Sequence, residues 1–148
     1  MKKSVQDALN AQIDKELYAA HLYLAMAAYF EHENLPGFAH WMRLQNEEEV
    51  AHAMRIFDFV NDNGGRVTLG AIDKPPTEFK GALEVMKQAL KHEQKVTKAI
   101  NDLYELAMRE KAHATALMLQ WFIGEQVEEE RQVTDIIARM ELGGDSAP

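Results

Sequence analysis

Residues 47 to 52 read EEEVAH, three carboxylates with an imidazole three places after the last of them. A glutamate and a histidine three residues apart share one face of a helix, where they can ligate a divalent cation or exchange protons. Adjacent glutamates are more often a solvated face, and a helical wheel at about 100° per residue separates the two uses. With Glu49 as reference, Phe38, Met42, Ile56 and Val60 fall within roughly 20° of it and His52 lies about 60° to one side. Glu49 therefore sits at the centre of an apolar stripe. Glu48 falls on its flank, and Glu47 points nearly opposite, as plain solvent charge.

Three other stretches repeat the anomaly. Glu16 shares a face with Val5, Leu9, Tyr23 and Ala27, and Glu93 shares one with Met86, Ile100 and Tyr104. Glu129 lines up with Met118, Phe122, Ile136 and Met140, with Glu125 one turn before it. Each carboxylate is close to the midpoint of its helical stretch, and a midpoint keeps its height whichever way a helix runs. All four should meet at one level of a core. Ionised and unpaired, each would cost several kcal/mol, and no Lys or Arg occupies the centre of any stripe. Two divalent cations would balance four carboxylates, and oxygen donors with one imidazole suit iron or manganese. Shared protons or an open, wetted bundle are the plainer alternatives; they suffice for an isolated E-x-x-H but poorly for four aligned carboxylates beside His52.

The elements that carry these residues are four helices. Ser4 with Asp7 reads as a capping pair for a first helix over about 4–33, ended by LPG. A second helix is expected over about 37–63, ended by NDNGG, a third over about 78–111 and a fourth over about 113–142, before a short tail at 143–148. Between the second and third, residues 64–77 carry glycines and prolines without a period and form a connection. Short links make each sequential pair an antiparallel hairpin. The long one is different: fourteen extended residues reach about 45 Å, enough to pass a 27-residue helix of about 40 Å. The expected fold is all-α, a single four-helix bundle with one long crossover.

Composition narrows the partners. At 148 residues and 47% hydrophobic content the chain can build one core, and a net charge of -8 disfavours nucleic acid and anionic membranes. No cysteine is present, which excludes disulfides, thiolate metal sites and iron–sulfur clusters. No apolar run approaches the roughly 20 residues of a membrane span and the N-terminus lacks a signal-peptide core, so the expected location is the cytoplasm. Met26, Met42, Met86, Met118 and Met140 read as core filling, Trp121 as packing with electron donation as the alternative, and His21, His32, His40 and His113 as surface or interface residues. His92 points about 100° away from Glu93 and is not expected to be a ligand.

The stretches KELYAAHLYLAMAAYF, LPGFAHWMRLQNEEEVAHAMRIFDFV, LKHEQKVT and LQWFIGEQVEEE resemble those of prokaryotic non-haem ferritins, in family order and over essentially the whole chain. The resemblance implies a protomer of a hollow 24-subunit shell that oxidises Fe(II) with O2, or peroxide, at a dinuclear centre and stores ferric mineral. It places a first iron at Glu16, Glu49 and His52, and a second at Glu49, as bridge, with Glu93 and Glu129. A third iron would use Glu48, Glu125, Glu128 and again Glu129. Gln126 matches a glutamine beside the second iron, and Tyr23 a tyrosine that can supply an electron when the centre is partly filled.

Departures from neighbouring families refine this. Bacterioferritins carry a second Glu-x-x-His and bind haem through a methionine after the bridging glutamate; here Gln132 follows Glu129 by three, Val96 follows Glu93 by three, and Val50 stands in the haem position, so no haem is expected. Rubrerythrin-like proteins need cysteines that this chain lacks. The acidic residues that line a three-fold pore in animal ferritins correspond to Ala116 and Leu119, which leaves the iron uptake route unassigned. The family usually carries a short fifth helix, whereas this sequence stops at GGDSAP. Apolar surplus in AHLYLAMAAYF, including Leu22 and Leu24, is expected to make subunit contacts. The rivals are a di-iron or di-manganese oxidase or catalase-like enzyme that stores nothing, and a purely structural bundle.

Overall fold

A computed structural model describes residues 1–143 and contains four helices: α1 Lys3–His32, α2 Pro36–Asp62, α3 Ala82–Arg109 and α4 His113–Gly143. No strand occurs among the described residues, and the architecture is the expected four-helix bundle with one long crossover. None of these helices is long and apolar enough to cross a membrane. The end of the predicted tail, residues 144–148, lies outside the described residues.

The first three helices end alike. Asn34, Gly64 and Lys111 take positive φ of 59°, 77° and 55°. The next amide in each case, that of Leu35, Gly65 or Ala112, bonds back to the carbonyl of Phe30, Val60 or Ala107 at 2.8–2.9 Å. This left-handed cap satisfies the last carbonyls and turns the chain at once, which keeps both hairpins tight. The N-terminal expectation fails locally. Helix α1 starts at Lys3 with Lys2 as its cap residue and no side-chain cap. Asp7 instead accepts a 2.7 Å ion pair from Lys3, one turn earlier on the same helix.

The crossover lies along α1. Gln6 Oε1 accepts from the Arg66 amide at 3.0 Å, Asn10 Nδ2 donates to Arg66 O at 2.9 Å and Thr68 Oγ1 at 3.3 Å, and both Asp14 oxygens accept from the Gly70 amide at 3.0 Å. The spacing explains the fit: four helical residues rise about 6.0 Å and two extended residues about 6.6 Å, so a stripe at 6, 10 and 14 meets an extended segment at 66, 68 and 70 in step. Further on, the Gly81 amide donates to Tyr29 Oη at 3.0 Å. Gly81 has φ 115°, open only to glycine, and there the chain turns into α3. Helix α3 therefore begins at Ala82 rather than near 78, because the extended path must first reach Tyr29. Since the crossover runs from residue 6 to residue 29 of α1, α3 starts where α1 ends and runs antiparallel to it, parallel to α2.

The core is layered. One apolar cluster takes Met26 and Phe30 of α1, Phe38 and Met42 of α2, Met86 of α3 and Met140 of α4. The other takes Leu9, Ile56, Ile100 and Phe122, from the same four helices. Between the two, every helix contributes a buried polar residue. Leu22 belongs to the first cluster at 5% exposure, so only Leu24 of the expected apolar pair is free for a neighbour. Ala116 and Leu119 are also buried within the bundle, at 6% and 0%, so neither lines a channel in this protomer.

Asp14 is the charged rung of the crossover ladder. Asp14→Ala should destabilise the fold by roughly 1 kcal/mol and speed hydrogen exchange at Gly70. An unchanged exchange rate there would show that the rung holds nothing.

Candidate metal centre

The polar layer consists of Glu16, Glu49 and Glu93 at 0% exposure, Glu129 at 3% and His52 at 4%. Their ligand atoms form overlapping groups: Glu16, Glu49 and His52; Glu49, Glu93 and Glu129; and His52, Glu125 and Glu129, each with atoms within 4.8 Å of one another. Glu49 is common to the first two groups, which makes two adjacent ion positions with one shared carboxylate. Both Glu49 oxygens, Glu16 Oε2 and His52 Nδ1 are buried with no hydrogen-bond partner outside the cluster, and Glu16 and Glu49 share a proton within it. The ring nitrogens of His52 lie 3.4 Å from Glu49 Oε2 and 3.8 Å from Glu125 Oε2.

The outer atoms of the cluster are held. Gln12 Nε2 donates to Glu16 Oε1 at 3.3 Å, and Tyr23 Oη donates to Glu93 Oε2 at 2.7 Å. Gln126 Nε2 reaches Glu93 Oε1 at 3.4 Å, Glu93 O at 3.2 Å and Thr97 Oγ1 at 3.1 Å, while Thr97 Oγ1 donates to Glu130 Oε2 at 2.5 Å. Gln12 and Thr97 escaped the sequence reading. Their only signal was position, one helical turn before Glu16 and one after Glu93.

The residues expected for a third ion are not all drawn together. Glu125 joins His52 and Glu129, while Glu128 is exposed and pairs with Arg131, three residues on, whose hydrogen bond lowers the Glu128 pKa. Glu48 is also exposed, and its charge raises the Glu129 pKa. His92 is away from the cluster, half-buried against the Tyr18 ring with centroids 5.7 Å apart; burial lowers its pKa to about 4.

One side of the bundle is wider than the others. No Cα pair of α2 and α4 lies within 8 Å, whereas α1 with α2, α3 with α4 and α1 with α3 all approach that closely. This seam contains a cavity of about 320 Å³ lined by Glu48, Ala51, His52, Arg55, Trp121 and Glu125. Trp121 stands edge-on to His52, centroids 5.5 Å apart, and the Arg55 guanidinium lies 3.7 Å from the Trp121 ring centre. An exposed cation–π contact of this kind contributes about 0.5–1 kcal/mol.

Burial is the largest influence on every carboxyl of the layer. It raises the pKa values of Glu16, Glu49 and Glu93, and with the charges of Glu93 and Glu48 it takes Glu129 to about 9. Tyr23 is raised too, by burial and then by the Glu93 charge. Without metal Glu129 holds its proton at neutral pH, and burial favours the neutral form of Glu16, Glu49 and Glu93 as well. An acid whose folded pKa exceeds its unfolded value favours the folded state below the unfolded value and loses that advantage as pH rises through the folded one. Stability of the metal-free protein should thus fall as pH rises from about 4.5 towards about 9. A cation must displace these protons. Zn2+ titrated into weakly buffered metal-free protein at pH 7 should release protons, fewer from Glu129→Gln, and a proton-neutral titration would contradict the assignment.

The family comparisons agree with this architecture. A ferritin-like domain model matches residues 6–143. A bacterial non-heme ferritin of Bacteroides fragilis strain 638R is 38% identical over 146 residues, 99% of this chain and 92% of that protein. One from Staphylococcus aureus strain USA300 is 40% identical over 147 residues, 99% of this chain and 89% of that protein. Among solved structures, the open pore ferritin of the hyperthermophilic archaeon Archaeoglobus fulgidus superposes with a TM-score of 0.96 at 46% identity, covering 99% of this chain and 89% of that one. A form of that ferritin engineered to be closed gives a TM-score of 0.97 at the same identity. With four helices arranged around a buried carboxylate layer and a family match over nearly its whole length, the chain belongs to the ferritin-like family.

Proposed function

We propose that this protein is an iron-storage ferritin that takes Fe(II) as substrate, oxidises it at the carboxylate layer and stores the ferric product inside a protein shell. The observation that carries the proposal is Glu49, a fully buried glutamate whose oxygens find no partner outside the cluster, only Glu16 and His52 within it, and which is shared between two ligand groups. A structural core acid would have found a donor. The donor set fits iron, with carboxylate oxygen throughout and a single imidazole. Glu16, Glu49 and His52 hold one ion, and Glu49, Glu93 and Glu129 the other; Glu48, Glu125, Glu129 and His52 offer a third position on the α2–α4 side.

Two Fe(II) supply the two electrons that reduce one O2 to hydrogen peroxide with uptake of two protons. The side chains prepare that exchange. Tyr23 and Gln126 fix the Glu93 carboxylate, Gln12 fixes Glu16, and the two apolar clusters close the layer off along the bundle axis on either side. The position without an imidazole holds its ion more weakly, which favours passage of product to storage over retention.

Storage requires a shell. Leu24, Leu44, Val50 and Met54 on α1 and α2 are exposed by 40–46%, and Leu117 and Val127 on α4 by 69%. These apolar groups are suited to contacts with further copies in a 24-subunit assembly in the cytoplasm, and light scattering would test the size.

Anaerobic Fe(II) titration followed by O2 tests the centre: two ions per chain should bind tightly and then oxidise rapidly. Glu49→Ala should slow oxidation by roughly 100-fold, and His52→Ala nearly as much. Unchanged oxidation in either variant, with assembly intact, would sink the assigned centre. Glu128→Ala should leave both the fast phase and the ion count unchanged, since Arg131 holds that carboxylate outside the cluster. Loss of an ion from the count would restore Glu128 to the ligands.

A further inference from the structure

Arg55 is the unexplained residue of the centre. Within the cavity of the α2–α4 seam it is the only cation, beside Glu48 and Glu125, in a place where a cation opposes the binding of Fe(II). Yet it forms no ion pair among the described residues. Its guanidinium lies on the Trp121 ring instead, leaving both carboxylates free. The ring beneath it touches His52, a member of two ligand groups.

The geometry points to Arg55 as an electrostatic gate that sets how fast divalent cations pass between the seam and the buried carboxylate pair. This rests on the reading of the layer as a metal centre. The placement supports it in three ways. The seam is the side on which neighbouring helices stand furthest apart, and His52 lines its cavity. Its acidic lining attracts cations, and a fixed positive charge at the rim raises the barrier to their passage in both directions. Stacking on Trp121 fixes that charge without neutralising Glu48 or Glu125, which an ion pair would do. A single exposed cation–π contact is too weak to bolt the opening mechanically, so the charge, rather than the bulk, must be the working part. Arg55 acts on the rate of exchange; the ligands set the affinity of the buried pair.

The test uses Co2+, which reports binding through its ligand-field absorption and needs no turnover. Uptake and release into a chelator are followed by stopped flow in the assembled protein, comparing wild type, Arg55→Gln and Arg55→Lys. Arg55→Gln should exchange faster in both directions by about 3- to 10-fold at low ionic strength, with affinity for the first two ions within about two-fold of wild type. Arg55→Lys keeps the charge and should stay close to wild type. The difference between Gln and wild type should shrink towards about 1 M salt, where screening acts within roughly 3 Å. Equal rates in Arg55→Gln and wild type would overturn the gate, and so would an equal acceleration in Arg55→Lys, which would make Arg55 a packing residue. Failure of the centre itself would look different: wild type would take up no Co2+, or Glu49→Ala would take it up undiminished.

Discussion

Four carboxyl groups meet at one level inside a bundle where no lysine or arginine is buried among the described residues. Everything else in the structure accommodates that constraint. Four ionised acids there would destabilise the core by several kcal/mol each, so the layer must hold either protons or metal ions. The structure favours protons when metal is absent, as the raised pKa values of Glu16, Glu49, Glu93 and Glu129 require. It also gives the central oxygens of Glu49 no donor outside the cluster, only the shared proton of Glu16. A chain that needed only to bury these groups would have satisfied them. Leaving them unsatisfied keeps the layer ready for a cation.

The scaffold around the layer serves its registry. Apolar clusters on both sides fix the height of each helix, and the tight left-handed caps fix the hairpins. The crossover determines direction. Its ladder along Gln6, Asn10 and Asp14 carries the chain the length of α1 before Gly81 allows α3 to begin, and α3 then meets α1 antiparallel with Glu93 opposite Tyr23. A shorter connection would have reversed α3 and changed which face of each helix looks inward.

The buried acids were legible in the sequence because helical periodicity is a local property: Glu16, Glu49, Glu93 and Glu129 each sit in a stripe of apolar neighbours that one wheel reveals. Bundle topology followed from the lengths of the connections. What was not legible depends on contacts between distant segments or on side-chain choice. The ladder joins a helix stripe to an extended segment some 56 residues away, and no local pattern announces it. The late start of α3 turns on the contact between Tyr29 and Gly81. Ser4 had the composition of a cap, but Lys2 and Lys3 extended the helix past it. Glu128 and Glu125 look alike in sequence; Arg131, three residues after Glu128, claims one of them. Ala116 and Leu119 were located by correspondence with a pore in distant relatives, whereas their burial here depends on the face that α4 turns to its own bundle.

The central claim is that the carboxylate layer is a two-ion centre bridged by Glu49. Crystals of the protein soaked anaerobically in Fe(II) and measured at the iron absorption edge test it most directly. The account predicts two anomalous peaks within the bundle, one between Glu16, Glu49 and His52 and the other between Glu49, Glu93 and Glu129, with Glu49 contacting both. Iron found only on the protein surface, or a single peak that Glu49 does not touch, would contradict it.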